Sequence, residues 1–499
     1  MRRGFLNRKK GKEVISIETL RARVNCTKPG SRPVESDNTK KVPDATQDAP
    51  RPDDENLTSY KKDQRIIHQL KPLNLDSNDD EIELKAYQFT EESPHDNVNY
   101  EHHELICTTL PAQLDNATRA SNPDGWAECL VTGFIKNKIL NAPSFPQPLL
   151  QPDKRVYYRG SQTESTKKPL PGLYAKRELQ MGDLIFSERP VLVVPALTRG
   201  GDIFGEYLSP HEAGEVIREQ WPITLKTALS RLIEEDREAF WKLRDIHEKK
   251  TGGKKSIIGI VKTNGFRLPD LEDPGLEDGL GAYSGVCLEL SQINHSCRPN
   301  AERYWDTASF SMQLRATRKI AKDEEVTVSF INLLEPYATR QAQLKNYDIV
   351  CTCPSCKKPK LGDRRREQFI KGTPTTDDFT NWLKNSDITD DHIIKRSLVQ
   401  ISLLEDDGHE NSPHYETNLM MIMLCYTALG NEEMAMRWGK KLGSWKLSHD
   451  GPKSADEFQK PERYTKHELW KRRVYLVNNL RASTYALNER IKSGNIRAT

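Results

Sequence analysis

Long apolar runs are missing from this chain. No stretch approaches the roughly 20 apolar residues of a membrane-spanning helix, so none is expected. The opening MRRGFLNRKKGK has no apolar core behind its basic residues, and no secretory signal is expected there. Charge of one sign is also missing. Lys and Arg number 75 against 72 Asp and Glu, a net charge of +3, so no global field draws a polyanion and direct nucleic-acid binding is not expected. Cysteine is sparse, nine in 499 residues. That excludes a disulfide scaffold, and the clustering of the cysteines suggests metal binding in a reducing compartment. The sequons at Asn25, Asn56 and Asn116 are accordingly read as chance. Apolar residues make up only 36% of the chain, against 29% charged. This is more polar than an ordinary globular chain, so one sizeable part is expected to be disordered.

That part is residues 1–120. The stretch SRPVESDNTKKVPDATQDAPRPDDENLTS holds almost nothing large and apolar to offset the entropy of ordering. The basic run from Arg8 to Lys12 reads as a solvated tail, with a nuclear import signal as the alternative. Residues 66–90 are assigned short structure and no function. From Trp126 the composition shifts. WAECLVTGFIKNKILNA has near-helical spacing, so a partly helical lead-in is expected over 121–166, with the folded part beginning there.

Residues 167–197 read as β structure, with turns at Pro171-Gly172 and Met181-Gly182-Asp183 and short strands at Leu184–Phe186 and Val191–Val194. Between 206 and 250 the period changes to three and four. Leu225, Leu229, Leu232, Ile233, Phe240 and Leu243 mark an amphipathic helix or helix pair, ended by Gly252-Gly253. An apolar run then ends at Asn264, and residues 266–285 read as a loop. Two alternating segments follow. Phe310, Met312, Leu314 and Ala316 share one face, as do Val326, Val328 and Phe330, and the segments read as a hairpin-like pair of half-buried strands. Residues 335–347 read as helix, and past 365 the periods are helical to the end. Tyr426, Leu429-Gly430 and Ala435 resemble one tetratricopeptide repeat, with plain helix packing as the alternative. KHELWKRRVYLVNNLRASTYALNERI reads as a long amphipathic helix with a solvated basic face.

Two clusters carry chemistry. SQINHSCRPN (291–300) packs Asn294, His295, Ser296, Cys297, Pro299 and Asn300 into a polar turn. About fifty residues on, Cys351-x-Cys353-x-x-Cys356 presents three thiolates. Zinc takes a tetrahedral shell, so a fourth ligand is required, and Cys297 is the natural candidate because Cys287 and Cys425 sit in apolar runs. A closed four-cysteine site is structural and would clip the 294–300 turn to the segment after 347. The alternatives are unliganded buried thiols or a redox pair. For Asn294, His295 and Asn300 the bland reading is that they satisfy turn backbone.

NHSC-x-PN, the strands that follow it, EEVTVSF and the CxCxxC tail together resemble a SET domain. Their order resembles the SET-and-MYND lysine methyltransferases and their fungal relatives. No MYND finger is expected, because Cys26, Cys107 and Cys129 are isolated. The resemblance implies an α+β fold. It comprises a SET domain of short sheets over 167–350 with a helical insertion at about 205–262, a post-SET cysteine segment at 351–362, and an all-α, tetratricopeptide-like domain over 365–499. It implies S-adenosyl-L-methionine and zinc as cofactors. Gly172, Leu173, Asn264, Asn294 and His295 would contact the first; Cys297, Cys351, Cys353 and Cys356 would hold the second. The activity implied is methyl transfer to a lysine of a histone tail or another protein, in the nucleus or cytoplasm, with Tyr347 and Phe330 at the reacting centre. The helical domain is a possible partner surface. Three positions depart from the family pattern: Phe330 stands where a tyrosine is usual, Leu170-Pro171-Gly172 keeps one glycine of Gly-x-Gly, and Ile349 stands where an aromatic is common. A catalytically weak or inactive SET scaffold is the competing expectation.

Overall fold

A computed structural model describes residues 60–67, 88–92, 105–150, 155–159, 172–195, 222, 224–248, 252–274 and 281–493. The chain divides at Leu57/Thr58, and every described residue belongs to the second unit. The Arg8–Lys12 run and most of residues 1–104 lie outside the described residues.

The largest sheet has seven strands in the order β2-β1-β3-β4-β8-β10-β9. These are β1 (Asp63–Ile67), β2 (Gln88–Glu92), β3 (Leu105–Leu110), β4 (Ala127–Thr132), β8 (Leu192–Pro195), β9 (Gly265–Glu272) and β10 (Ala282–Val286). LICTTL and AECLVT are buried along their whole length. A strand covered on both faces shows no alternation, and that is why the pattern was hard to read. Described strands therefore occur well before Trp126, from Asp63 on, and AECLVT is a strand rather than the first turns of a helix. The helix behind it, α1 (Gly133–Leu140), starts at Thr132, whose side chain accepts from Ile135 N–H. The described residues of 266–285 are likewise largely strand rather than loop. β9 lies at the sheet edge, where Pro269 costs no ladder bond.

The remaining strands are β5 (Val156–Arg159), β6 (Gly172–Ala175), β7 (Leu184–Glu188), β11 (Asn294–His295), β12 (Ala301–Asp306), β13 (Ser311–Ala316) and β14 (Thr327–Val328). They form a β12-β13-β7 sheet and the pairs β5-β6 and β11-β14. The expected pairing of 310–316 with 326–330 does not occur. β13 is antiparallel to β12 and β7 and buried on both faces, while β14 runs parallel to β11. The parallel pair brings Asn294 and His295 beside Thr327 and Val328.

Among the described residues the inserted region includes two helical pieces, 224–230 and α2 (Glu234–Lys242), broken at 231–233. Leu225, Leu229, Leu232, Phe240 and Leu243 are all buried and pack with α3 (Ile257–Asn264) against β3, β4 and β8. From 337 onward the described chain is helical: α4 (Tyr337–Leu344), α5 (Pro354–Lys357), α6 (Pro359–Gly372), α7 (Thr376–Lys384), α8 (His392–Asp406), α9 (Pro413–Leu429), α10 (Glu432–His449) and, after short helical turns, α11 (Arg472–Lys492). α9 and α10 pack through Gly430-Asn431. Gly430 is left-handed (φ +73°), Asn431 caps α10, and Ala435 is buried. α11 departs from the amphipathic expectation. Arg473 and Val477 are buried, but every residue from 478 to 493 is exposed, Tyr485 and Leu487 included. Among the described residues no helix is long and apolar enough to cross a membrane.

A buried carboxylate ties the sheet to the insertion. Glu128 of β4 meets Lys61 at 2.9 Å and Arg231 at 2.8 Å and accepts from Thr109 Oγ1 at 2.8 Å. Removing it leaves two cations without their partner, a loss of about 3–5 kcal/mol. Glu128→Ala should lower the urea-unfolding free energy by that amount, and a change under about 1 kcal/mol would contradict the assigned role.

Candidate functional site

A cavity of about 770 Å³ opens between α2, the α3–β9 junction, residues 288–294, β12 and the segment around Tyr347. Asn264, Asn294, Phe330, Tyr347 and Ile349 line it. The Phe330 and Tyr347 ring centroids are 5.4 Å apart, and His295 lies 5.5 Å from Phe330 on its other side. Residues from positions 264 to 349 thus line one cavity.

The 288–300 segment is held at several points. The Glu188 carboxylate at the end of β7 accepts from the N–H groups of Leu288, Glu289 and Leu290 at 2.6, 2.9 and 3.0 Å, capping the turn that leads into β11. Asn300, fully buried, pins the far end. Its Oδ1 accepts from Thr327 N–H at 2.8 Å and its Nδ2 donates to Glu325 O at 2.8 Å. For Asn300 the bland reading therefore holds.

His295 is used by the protein at both nitrogens. Nδ1 accepts from Phe330 N–H at 3.1 Å, which places the proton of the neutral ring on Nε2, 3.4 Å from Cys297 Sγ. Burial is the main cause of an imidazole pKa pulled down to about 4. Asn264 is similar: its Nδ2 donates to Arg244 O and Ile260 O at 2.7 and 2.8 Å, fixing the α3–β9 corner. Asn294 Nδ2 donates to Glu325 Oε1 at 2.7 Å. Gly172 sits directly on this pair. A Cβ there would fall 2.8 Å from Asn294 Nδ2 and 3.0 Å from Glu325 Oε1, so a side chain is excluded. Leu173 points the other way. Its side chain is in the core and only its carbonyl, which accepts from Val326 N–H at 2.8 Å, is near the site. Glu188 and Glu325 were missed from the sequence. The acidic pair at the head of EEVTVSF was the available signal for Glu325; Glu188 gave none.

Cys297, Cys351, Cys353 and Cys356 converge with all four Sγ atoms within 4.8 Å of one another. Cys297 Sγ lies 3.9 Å from that of Cys351 and 3.5 Å from that of Cys356. Tetrahedral Zn–S bonds of 2.3 Å give an edge of about 3.8 Å, so the donor set could hold such an ion. Arg340, fully buried on α4, points Nη2 at Cys356 Sγ from 3.9 Å, and Arg366 bonds Leu333 O and Ser355 Oγ beside it. These cations and the His295 N–H face the negative charge that four thiolates would bring. Cys107 and Cys129 lie buried on adjacent strands, their thiols pushed up by burial, that of Cys107 to about 12. They form no second cluster.

Residues 171–331 match the SET domain model. The chain is 35% identical over 120 residues to the human histone-lysine N-methyltransferase SMYD1, covering 21% of this chain and 23% of that protein. It is 25% identical over 211 residues to the Schizosaccharomyces pombe histone-lysine N-methyltransferase set5, covering 40% and 54%. It is 27% identical over 203 residues to the Danio rerio N-lysine methyltransferase SMYD2-B, covering 38% and 44%. The chain thus spans between about a quarter and a half of the length of these relatives.

The Glu188 carboxyl is raised from 4.5 to about 7, chiefly by burial and against the pull of its three backbone donors. The folded state then holds the proton more tightly than the unfolded chain. Its stabilising contribution is complete below about pH 4.5 and is lost as pH rises through about 7. Glu188→Gln should flatten the dependence of the urea midpoint on pH between 5 and 7. Equal slopes in both proteins would show that Glu188 does not titrate in this range.

Proposed function

Because the chain carries a SET domain over residues 171–331, we propose that it is a protein-lysine methyltransferase that uses S-adenosyl-L-methionine and holds a structural zinc ion. The observation that supports this most is the convergence of Asn294, Phe330 and Tyr347 on one cavity beside the four-cysteine cluster. The cradle at Gly172, where no Cβ fits beside Asn294 and Glu325, suits a backbone that approaches a ligand closely. Bound there, the cofactor supplies an electrophilic sulfonium methyl group.

The chain's own contribution is placement and desolvation. Asn294 with the Gly172 and Leu173 backbone would hold the polar, amino-acid end of the cofactor, and Asn264 would hold the corner of the cavity. His295 acts through structure: it seats Phe330 and ties β11 to Cys297. The Phe330 and Tyr347 rings would wall the path of the lysine side chain and exclude water from a neutral amine, with the Tyr347 hydroxyl as a polar group at its end. Cys297, Cys351, Cys353 and Cys356 would close the zinc shell, leaving the metal no open position for chemistry. The substrate would be a protein lysine, met in the nucleus or cytoplasm, and the helices beyond 365 would offer a partner surface. The scaffold reading is favoured by Phe330, which supplies no hydroxyl where the resemblance expects one, and by Ile349 in place of a stacking aromatic.

Calorimetric titration should show S-adenosyl-L-methionine binding in the micromolar range, and radiolabel should pass to protein in lysate. No binding at millimolar cofactor would favour the scaffold. Phe330→Tyr should raise turnover several-fold if the lost hydroxyl limits the rate, whereas an unchanged rate would assign that role elsewhere. Elemental analysis should find about one zinc per chain, lost in Cys353→Ser together with a lowered melting temperature. A wild-type protein purified without zinc under metal-replete conditions would remove the metal from the account.

A further inference from the structure

Four basic side chains line the cavity: Lys242, Arg244, Arg267 and Arg303. Three have a carboxylate partner, Lys242 with Glu238 at 3.4 Å, Arg244 with Asp348 at 3.3 Å and Arg267 with Glu272 at 3.3 Å. Arg303 has none among the described residues. Its guanidinium carbon lies 4.7 Å from the Phe266 ring centroid, and its Nη2 donates to Ser329 O at 3.1 Å. Its Nε and Nη1 find no protein acceptor among the described residues. Glu302, the acidic residue among the described lining, accepts from the Arg303 backbone N–H at 3.0 Å but makes no ion pair with the guanidinium. Ser329 directly precedes Phe330, whose ring centroid lies 5.4 Å from that of Tyr347. Arg303 therefore stands on the Phe330–Tyr347 side of the cavity.

We propose that Arg303 is a specificity-determining residue that receives a carboxylate of the protein substrate, so that lysines flanked by Asp or Glu are selected. The proposal rests on the methyltransferase reading and names its substrate class. A half-buried guanidinium stacked on an aromatic ring is held in place, and its free N–H groups match a carboxylate in geometry as well as charge. Burial pulls its pKa down, with Glu302 opposing, so an incoming anion would offset a desolvation already incurred. The same cation repels Lys- and Arg-rich tails, where like charge meets in a confined space. The cofactor also carries a carboxylate. The bond of Arg303 to Ser329 O, next to Phe330, favours the substrate as its source.

The test uses the full chain and three lysine peptides that differ in one flanking residue, Glu, Gln or Arg, with binding read by fluorescence anisotropy. The Glu peptide should bind about ten-fold more tightly than the Gln peptide, with the Arg peptide weakest. Arg303→Met should abolish the ranking, Arg303→Lys should retain part of it, and Arg303→Glu should invert it. S-adenosyl-L-methionine affinity, measured by calorimetry, should be unchanged in Arg303→Met. Equal binding of the three peptides by the wild type would overturn the proposal. So would a ranking that survives Arg303→Met, or a ten-fold loss of cofactor affinity in that variant. Methyl transfer, measured separately, separates the two readings. Ranked binding without transfer removes the enzyme and keeps the selectivity; transfer without ranking does the reverse.

Discussion

One imidazole joins the two halves of the site. His295 accepts the Phe330 N–H with Nδ1 and turns Nε2 toward Cys297 Sγ. Its neighbour Asn294 faces the cavity and its near neighbour Cys297 belongs to the sulfur cluster. A shift of the cluster is therefore a shift of Phe330 and of β11 against β14. β11 and β14 are two residues each and cannot hold their register alone. Four sulfur ligands brought together from positions 297 and 351–356 would provide what two short strands cannot.

Buried charge does the rest of the positioning. Glu188 caps the entry to the NHSC segment, Glu325 anchors the Asn294 amide, and Arg340 and Arg366 brace the cysteine loop. Each is a polar group bonded to backbone N–H or C=O groups, an amide, a hydroxyl or sulfur, which makes it directional where apolar packing is not. The large sheet behind these contacts supplies stiffness, and the inserted helices close one wall of the cavity through Lys242, Leu243 and Arg244.

Legibility in the sequence followed the range of the physics involved. The cysteine cluster could be read because metal ligands carry their own spacing: Cys351, Cys353 and Cys356 lie on one tight turn, and only one ligand had to be found elsewhere. The helices beyond 365 could be read because their periods are local. Three kinds of feature could not. β3 and β4 are buried on both faces, which erases alternation. β9 carries Pro269, Asp270 and Glu272, whose local preference for loops is overridden by pairing with β10, which in turn pairs with β8. Glu188, Glu325 and Arg303 are ordinary charged residues in the sequence, and only tertiary contacts give them partners or deny them one. The resemblance named Asn294 and His295 together, but the division between Asn294 in the cavity and His295 with both nitrogens engaged needed coordinates.

The central claim is that the cysteine cluster and the cavity are one mechanical unit joined at His295. Hydrogen exchange read by mass spectrometry, before and after treatment with a zinc chelator, tests this directly. The account predicts that residues 291–300 and 326–331 lose protection together while α9 and α10 keep theirs. Loss confined to residues 351–357, with 326–331 unchanged, would contradict it.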